Sequence, residues 1–199
     1  MQESFLCGLI FFVPLFRAQH SLKLKRFAQI CLGFVVLFQT VAFWEYSLQT
    51  NAQAKEYLAA KPFIADHDSI ASLVILEDNL RFHSQPVTQL NNYLGFGKNV
   101  IVWDNYEAGH YLFPIIAKNP EDKKFIFDLT TSNVFSLNNP SENFDEKLSK
   151  LDLLFSNYPQ KIKTLIVWGT DERVETVLKK WFESQPFFEN GHIRMFHSK

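Results

Sequence analysis

Arg81 and His83 stand in one polar loop, and Asp104, Tyr106, Glu107 and His110 stand in another. A guanidinium matches a phosphate or a carboxylate with two parallel hydrogen bonds. Carboxylates and a phenol beside it suit the hydroxyls of a sugar. Each loop directly follows an apolar run, SLVILE at 72–77 and NVIVW at 99–103. In an open α/β sheet, ligands bind outside the carboxyl ends of the strands. The two loops are therefore expected to meet on one rim, with residues 128–131 and 169–173 as its further members. The plainer reading is that all of these are solvated loop residues that cap helices and turns.

Other chemistry-bearing residues are fewer. Asp66-His67-Asp68 has the residue types of a metal site, but an adjacent trio without spaced partners reads as a turn. His192 and His197 alternate along the last hairpin as strand surface. The chain has no CxxC, HExxH, GxSxG, P-loop or GxGxxG pattern, so neither a metal nor a cofactor is expected. Trp168-Gly169-Thr170-Asp171 has only the form of a strand leading into a helix cap. A net charge of −1 gives no reason to expect nucleic acid as a partner. The two cysteines, Cys7 and Cys31, both lie in apolar segments, so the polar part of the chain must hold together through a core without disulfides.

The elements that must position these residues follow from hydrophobic period. Runs 72–77, 99–103, 124–128 (KFIFD) and 164–168 (TLIVW) are apolar enough for buried strands. Val87, Leu90 and Leu94 share one face of a helix starting at Pro86 and closed by Gly95 and Gly97. Phe144, Leu148, Leu151 and Phe155 keep helical spacing, with Asn143 and Glu146 as a capping pair and Asn157-Tyr158-Pro159 as the stop. Thr170 or Asp171 caps a helix carrying Val174, Val177, Leu178, Trp181 and Phe182, which Pro186 ends. The polar stretch 136–143 reads as a loop. Asn190-Gly191 between two β-favouring runs signals a hairpin. The expected class is α/β: a layered domain with a mainly parallel sheet and a C-terminal hairpin.

Ahead of that domain lies FAQICLGFVVLFQTVAFWEYSL, residues 27–48, uncharged until Glu45. As a helix it reaches about 33 Å, against a hydrocarbon core of about 30 Å. Trp44 and Tyr46 sit near its end, where amphipathic rings favour the headgroup level. Arg17, Lys23, Lys25 and Arg26 precede it without an acid among them, which places residues 17–26 in the cytoplasm and the C-terminal domain outside. Residues 5–16 form a shorter apolar run, interrupted by Pro14, that reads as a short or partial span. The expected organisation is membrane segments over 1–50 and an extracytoplasmic α/β domain over 51–199. Residues 54–60 serve as a helical stalk ended by Lys61-Pro62. The bilayer, in a cytoplasmic (inner) membrane, is the expected partner.

This layout, with the stretch RFHSQPVTQLNNYLGFGKNVIVWDNYEAGHYLFP at 81–114, resembles the C-terminal end of multi-spanning bacterial glycosyltransferases of the C type. It is similar in style to the dolichyl-phosphate-mannose and aminoarabinose transferase group. The residues that carry the resemblance are Arg81, His83, Tyr93, Asn105, Tyr106 and Glu107. It implies a polyprenyl-phosphate-linked sugar or glycan as partner, with Arg81, His83, Asn105, Tyr106 and Glu107 as the ligand-binding set. Such enzymes use an acid in the first exterior loop after their first membrane helix. This chain has only Glu3 ahead of the long span, so no catalytic residue carries over. The expectation is an extracytoplasmic domain of a glycosyltransferase-like protein without catalysis of its own. The competing class is a non-catalytic envelope protein that binds a glycan or a protein.

Overall fold

The computed structural model describes residues 22–77, 87, 90–103, 119–132, 134–139 and 143–199. The chain divides into two compact units, Met1–Gln49 and Thr50–Lys199. Helix α1, Leu22–Leu58, runs 37 residues without a break, about 56 Å at the helical rise. Phe27, Ile30, Phe34, Phe38, Phe43 and Trp44 are all exposed along it, while Ala28 is buried and Cys31, Leu32, Gln39, Ala42 and Tyr46 are half-buried along one stripe. A long apolar helix that leaves most of its surface exposed is a candidate for a lipid environment or for a signal sequence.

The second unit is a mixed α/β fold around one six-stranded sheet. Its strands are β1 Ser69–Glu77, β2 Ile101–Val102, β3 Ser136–Asn139, β4 Thr164–Trp168, β5 Phe188–Asn190 and β6 Ile193–His197. Their order is β2-β1-β4-β6-β5, with β3 also paired to β1. β1 runs parallel to β2, β3 and β4; β4–β6 and β5–β6 are antiparallel. The sheet is thus partly parallel and ends in a hairpin. β2 and β3 share one edge of β1, β2 along its first residues and β3 along its last four.

Both faces of the sheet are covered. Ala71, Leu73 and Ile75 of β1 point to one side with Leu165 and Val167 of β4, into a core closed by α3 (Pro120–Ser132), α4 (Phe144–Asn157) and α5 (Glu172–Trp181). Ile70, Val74, Ile166, Trp168, Ile193 and Met195 point the other way. There they meet Tyr57 and Ala60 at the end of α1, Ile64 after the 3-10 turn Lys61–Phe63, and Leu94 of the short helix α2 (Asn91–Gly95). The strict alternation along β1 and β4 is the period of two that a sheet buried on both faces shows as a continuous apolar run.

Three expectations are corrected. Residues 124–128 are not a strand but the middle of α3. Asn119 accepts the Glu121 amide at 3.0 Å, Pro120 opens the helix, and Glu121 and Asp122 fill its first turn. Phe125 is 1 % exposed and Phe127 61 %, although a strand would place both on one face. Residues 136–139, read as loop, form β3, because the buried carboxyl half of β1 needs backbone partners whatever side chains supply them. Asn143 holds the N-cap position of α4, but its φ of −105° and ψ of 12° are not the extended geometry of a capping side chain, and it makes no cap bond.

Elsewhere the local reading and the structure differ by small shifts. Asp171 caps α5, accepting from the amides of Arg173 and Val174. Val87 and Leu94 are buried, and a short helix α2 starts at Asn91; Pro86 and residues 88–89 lie outside the described residues. The hairpin loop is Gly191-His192, one residue later than the Asn-Gly pair suggests, since Asn190 still pairs with Ile193. Gly191 has φ +58°, the sign a two-residue hairpin loop of the II′ kind requires at its first position.

Candidate functional site

The ligand-binding set of the sequence reading, Arg81, His83, Asn105, Tyr106 and Glu107, lies outside the described residues. Its anchor points do not. Glu77, which leads into the first loop, pairs with Asn139 at the carboxyl end of β1. Trp103, which leads into the second, donates its amide to Ile70 O at the amino end of β1. The expectation that Glu77 and Trp103 end on the same edge is therefore corrected. About six strand residues, roughly 20 Å, separate the two exits. β2 is only two residues long, so it leaves the sheet early. Residues 128–131 sit within α3 and are not rim members; residues 169–173 are.

That last segment leaves the carboxyl end of β4, beside β1, where the sheet order reverses direction and α/β folds place their ligands. Gly169 turns the chain there with φ +86°, and a Cβ on it would stand 2.6 Å from Ile75 O. On one face of the sheet, the His192 ring stacks on Trp168 at 5.3 Å, and Glu56 of α1 accepts from both the backbone and the ring of His192. On the other face, Arg194 donates to Glu175 at 2.8 Å and to Gly169 O at 2.9 Å. Arg173 lies over the Phe144 ring at 4.0 Å and bonds Asp145. The Asp171 carboxylate occupies the N-terminus of α5, where an anion would otherwise bind. Among the described residues, Asp171, Arg173 and Arg194 are thus held by partners within the protein, while the buried Arg194 Nε has none.

Asp66-His67-Asp68 forms a turn. His67 has φ +64° and donates its amide to Asn99 O, and the Asp68 carboxylate accepts from the Ser69 amide and the Thr164 hydroxyl, both at 2.7 Å. Among the described residues no three His, Cys, Asp or Glu side chains gather as metal ligands.

A concavity lies at the opposite end of the sheet, between the C-terminal ends of α4 and α5. It is a half-open depression of about 220 Å³, lined by Phe155, Tyr158, Gln160, Trp181, Phe182 and Ser198 among others, with Gln160, Lys180 and Lys199 exposed at its rim. The Tyr158 hydroxyl donates to Asp128 at 2.5 Å. Burial, then this bond and the Asp128 charge, push the phenol up to about 12. Asp152 accepts from the Trp181 indole at 2.7 Å and from Lys180 at 2.6 Å. Burial alone would raise its pKa, but those two donors and the lysine charge outweigh it and hold the carboxyl below its usual range.

No protein-family model, curated protein or solved structure matches the chain significantly. The fold and these two clusters are therefore the ground for a functional reading. Sequence reasoning missed Glu56 and the concavity for different reasons. Glu56 lies 136 positions from His192, with no local signal. The concavity did have one: Tyr158-Pro159-Gln160-Lys161 reads as a tight turn with proline at its second position.

Proposed function

We propose that the chain is a membrane-anchored extracytoplasmic α/β domain of a glycosyltransferase-like membrane protein, working without catalysis of its own. The observation that carries the anchoring is α1, apolar and mostly exposed over residues 27–44. Lys23, Lys25 and Arg26 at its start supply the positive flank that orients it. The transferase part of the reading rests on the likeness of residues 81–114.

Two measurements test this. Alkaline phosphatase fused after Lys199 is expected to be active, and the chain to stay in the membrane after alkaline carbonate extraction. Reconstituted alone with a polyprenyl-phosphate-linked sugar, it is expected to transfer nothing. An inactive phosphatase with an active cytoplasmic reporter overturns the orientation, and sugar transfer by the isolated chain overturns the non-catalytic reading. The second reading, an envelope protein that binds a glycan or protein, is favoured by the concavity at the ends of α4 and α5.

A further inference from the structure

We propose that the concavity between the C-terminal ends of α4 and α5 is a binding site for a single neutral sugar ring. This goes beyond anchoring and stands on residues that the membrane reading does not use. Size comes first. Pockets for drug-sized ligands enclose about 300–1,000 Å³, and about 220 Å³ holds one ring rather than a chain of them.

The lining sets the chemistry. Phe155, Tyr158, Trp181 and Phe182 supply aromatic surface, against which the C–H face of a pyranose packs. Gln160 and Ser198 supply an amide and a hydroxyl that both donate and accept, as sugar hydroxyls require. The two lysines of the lining are already engaged: Lys180 on the Asp152 carboxylate at 2.6 Å and Lys199 on Lys179 O at 2.5 Å. With its cations neutralised or bonded, the site favours an uncharged polyol over a phosphate or a carboxylate.

Gln160 is the residue that points to selection for a ligand. Lys161 N donates to Tyr158 O, Pro159 takes the second position of the turn, and Gln160 takes the third with φ +61°. That is a type II turn, whose third position favours glycine. A glutamine there is held in the left-handed region at a local cost, and it lines the cavity.

The lip is also fixed in advance. Tyr158 is tied to Asp128, the Lys161 ammonium to Asp122, and Lys161 O accepts both the Trp103 indole and the Ser69 hydroxyl. Asp152 sets the Trp181 ring through its indole N–H. With Tyr158, Lys161 and Trp181 already fixed, a ligand entering the site has fewer side chains to order, which lowers the cost of binding.

The test uses the full chain in lipid nanodiscs and saturation-transfer NMR with methyl β-D-glucopyranoside and N-acetylglucosamine, with cyclohexanol as the apolar control. Saturation of one ring face by at least one sugar is expected. In Gln160→Gly, binding should weaken about three- to tenfold, the effect of one lost hydrogen bond, while thermal stability holds or rises because glycine suits the turn. Ser198→Ala serves as a second variant, expected to weaken binding without altering the fold. No saturation of either sugar, saturation untouched by both variants, or equal saturation of cyclohexanol overturns the proposal. None of these outcomes bears on whether α1 spans a membrane.

Discussion

The carboxylate of Glu56, two residues before α1 ends, bonds both the backbone amide and the ring Nδ1 of His192, the latter at 3.1 Å. One side chain thus fastens the end of a 37-residue helix to the turn of the C-terminal hairpin. A Cβ added to Gly191 would land on that carboxylate. Glu56→Ala is expected to lower unfolding stability by about 1–2 kcal/mol, the range for a hydrogen bond to a charged acceptor at a partly exposed site. Gly191→Ala should cost a similar amount, through its φ of +58° and the clash. The two should be non-additive: with Glu56 truncated, the clash part of the Gly191→Ala cost disappears. Chemical denaturation of the single and double variants measures this, and strict additivity would argue against the contact.

Gly169 is the least replaceable position at the carboxyl edge of β4. Alanine there must adopt φ +86° and press on the backbone oxygen of Ile75, which has no flexible end to move aside. A loss of about 2–4 kcal/mol is expected for Gly169→Ala. A melting temperature unchanged from the parent protein would show that the β4–α5 turn can relax away from β1.

The helical assignment of residues 120–132 separates two neighbouring phenylalanines. Phe125, edge-on to Trp103 at 5.1 Å and to Tyr158 at 4.8 Å, should cost about 3–5 kcal/mol as Phe125→Ala. Phe127→Ala, on the solvent face, should stay within about 0.5 kcal/mol. Similar losses for both would restore the strand reading of this segment.

Asp152 and Tyr158 predict opposite pH limbs. The Asp152 pKa is depressed below its ordinary 3.8, so its contribution is full above that value and is lost as pH falls through the folded pKa. Asp152→Asn should therefore flatten the acid limb of the stability profile and leave neutral-to-alkaline behaviour alone. The Tyr158 pKa is raised from 10.0 to about 12. Its contribution is full below the lower value and fades as pH rises towards the higher one. Tyr158→Phe should remove that alkaline dependence, which unfolding midpoints across both limbs would record.

Trp181 occupies the wall of the concavity and is only half-buried, with its indole held by Asp152. Trp181→Ala is accordingly expected to cost about 2 kcal/mol, less than the range for a fully buried tryptophan. Trp181→Phe should retain most of the packing and lose about 1 kcal/mol with the hydrogen bond. A cost above about 4 kcal/mol for the alanine variant would place the ring in the core and close the cavity.

What the sequence determined by itself is whatever its near neighbours along the chain decide. The exposed apolar helix, β4, α5 with its Asp171 cap and the final hairpin were all legible, because a period of 3.6 or 2, a capping carboxylate and a glycine turn act within a few residues. Even the helix at 120–132 announced itself through Asn119-Pro120-Glu121-Asp122, although the apolar KFIFD read as strand.

Tertiary structure decided the rest, where a distant partner outweighs local preference. The polar SLNN became β3 because the carboxyl half of β1 had backbone groups to satisfy. β2 paired with the first residues of β1 rather than the last, and register between strands some thirty positions apart is set by side-chain packing across the sheet, not by either strand alone. That offset moves the exits of the two loops bearing Arg81 and Glu107 apart. The Glu56–His192 joint depends on residues brought from the two ends of the unit, 136 positions apart, and no spacing along one chain encodes a meeting of that kind.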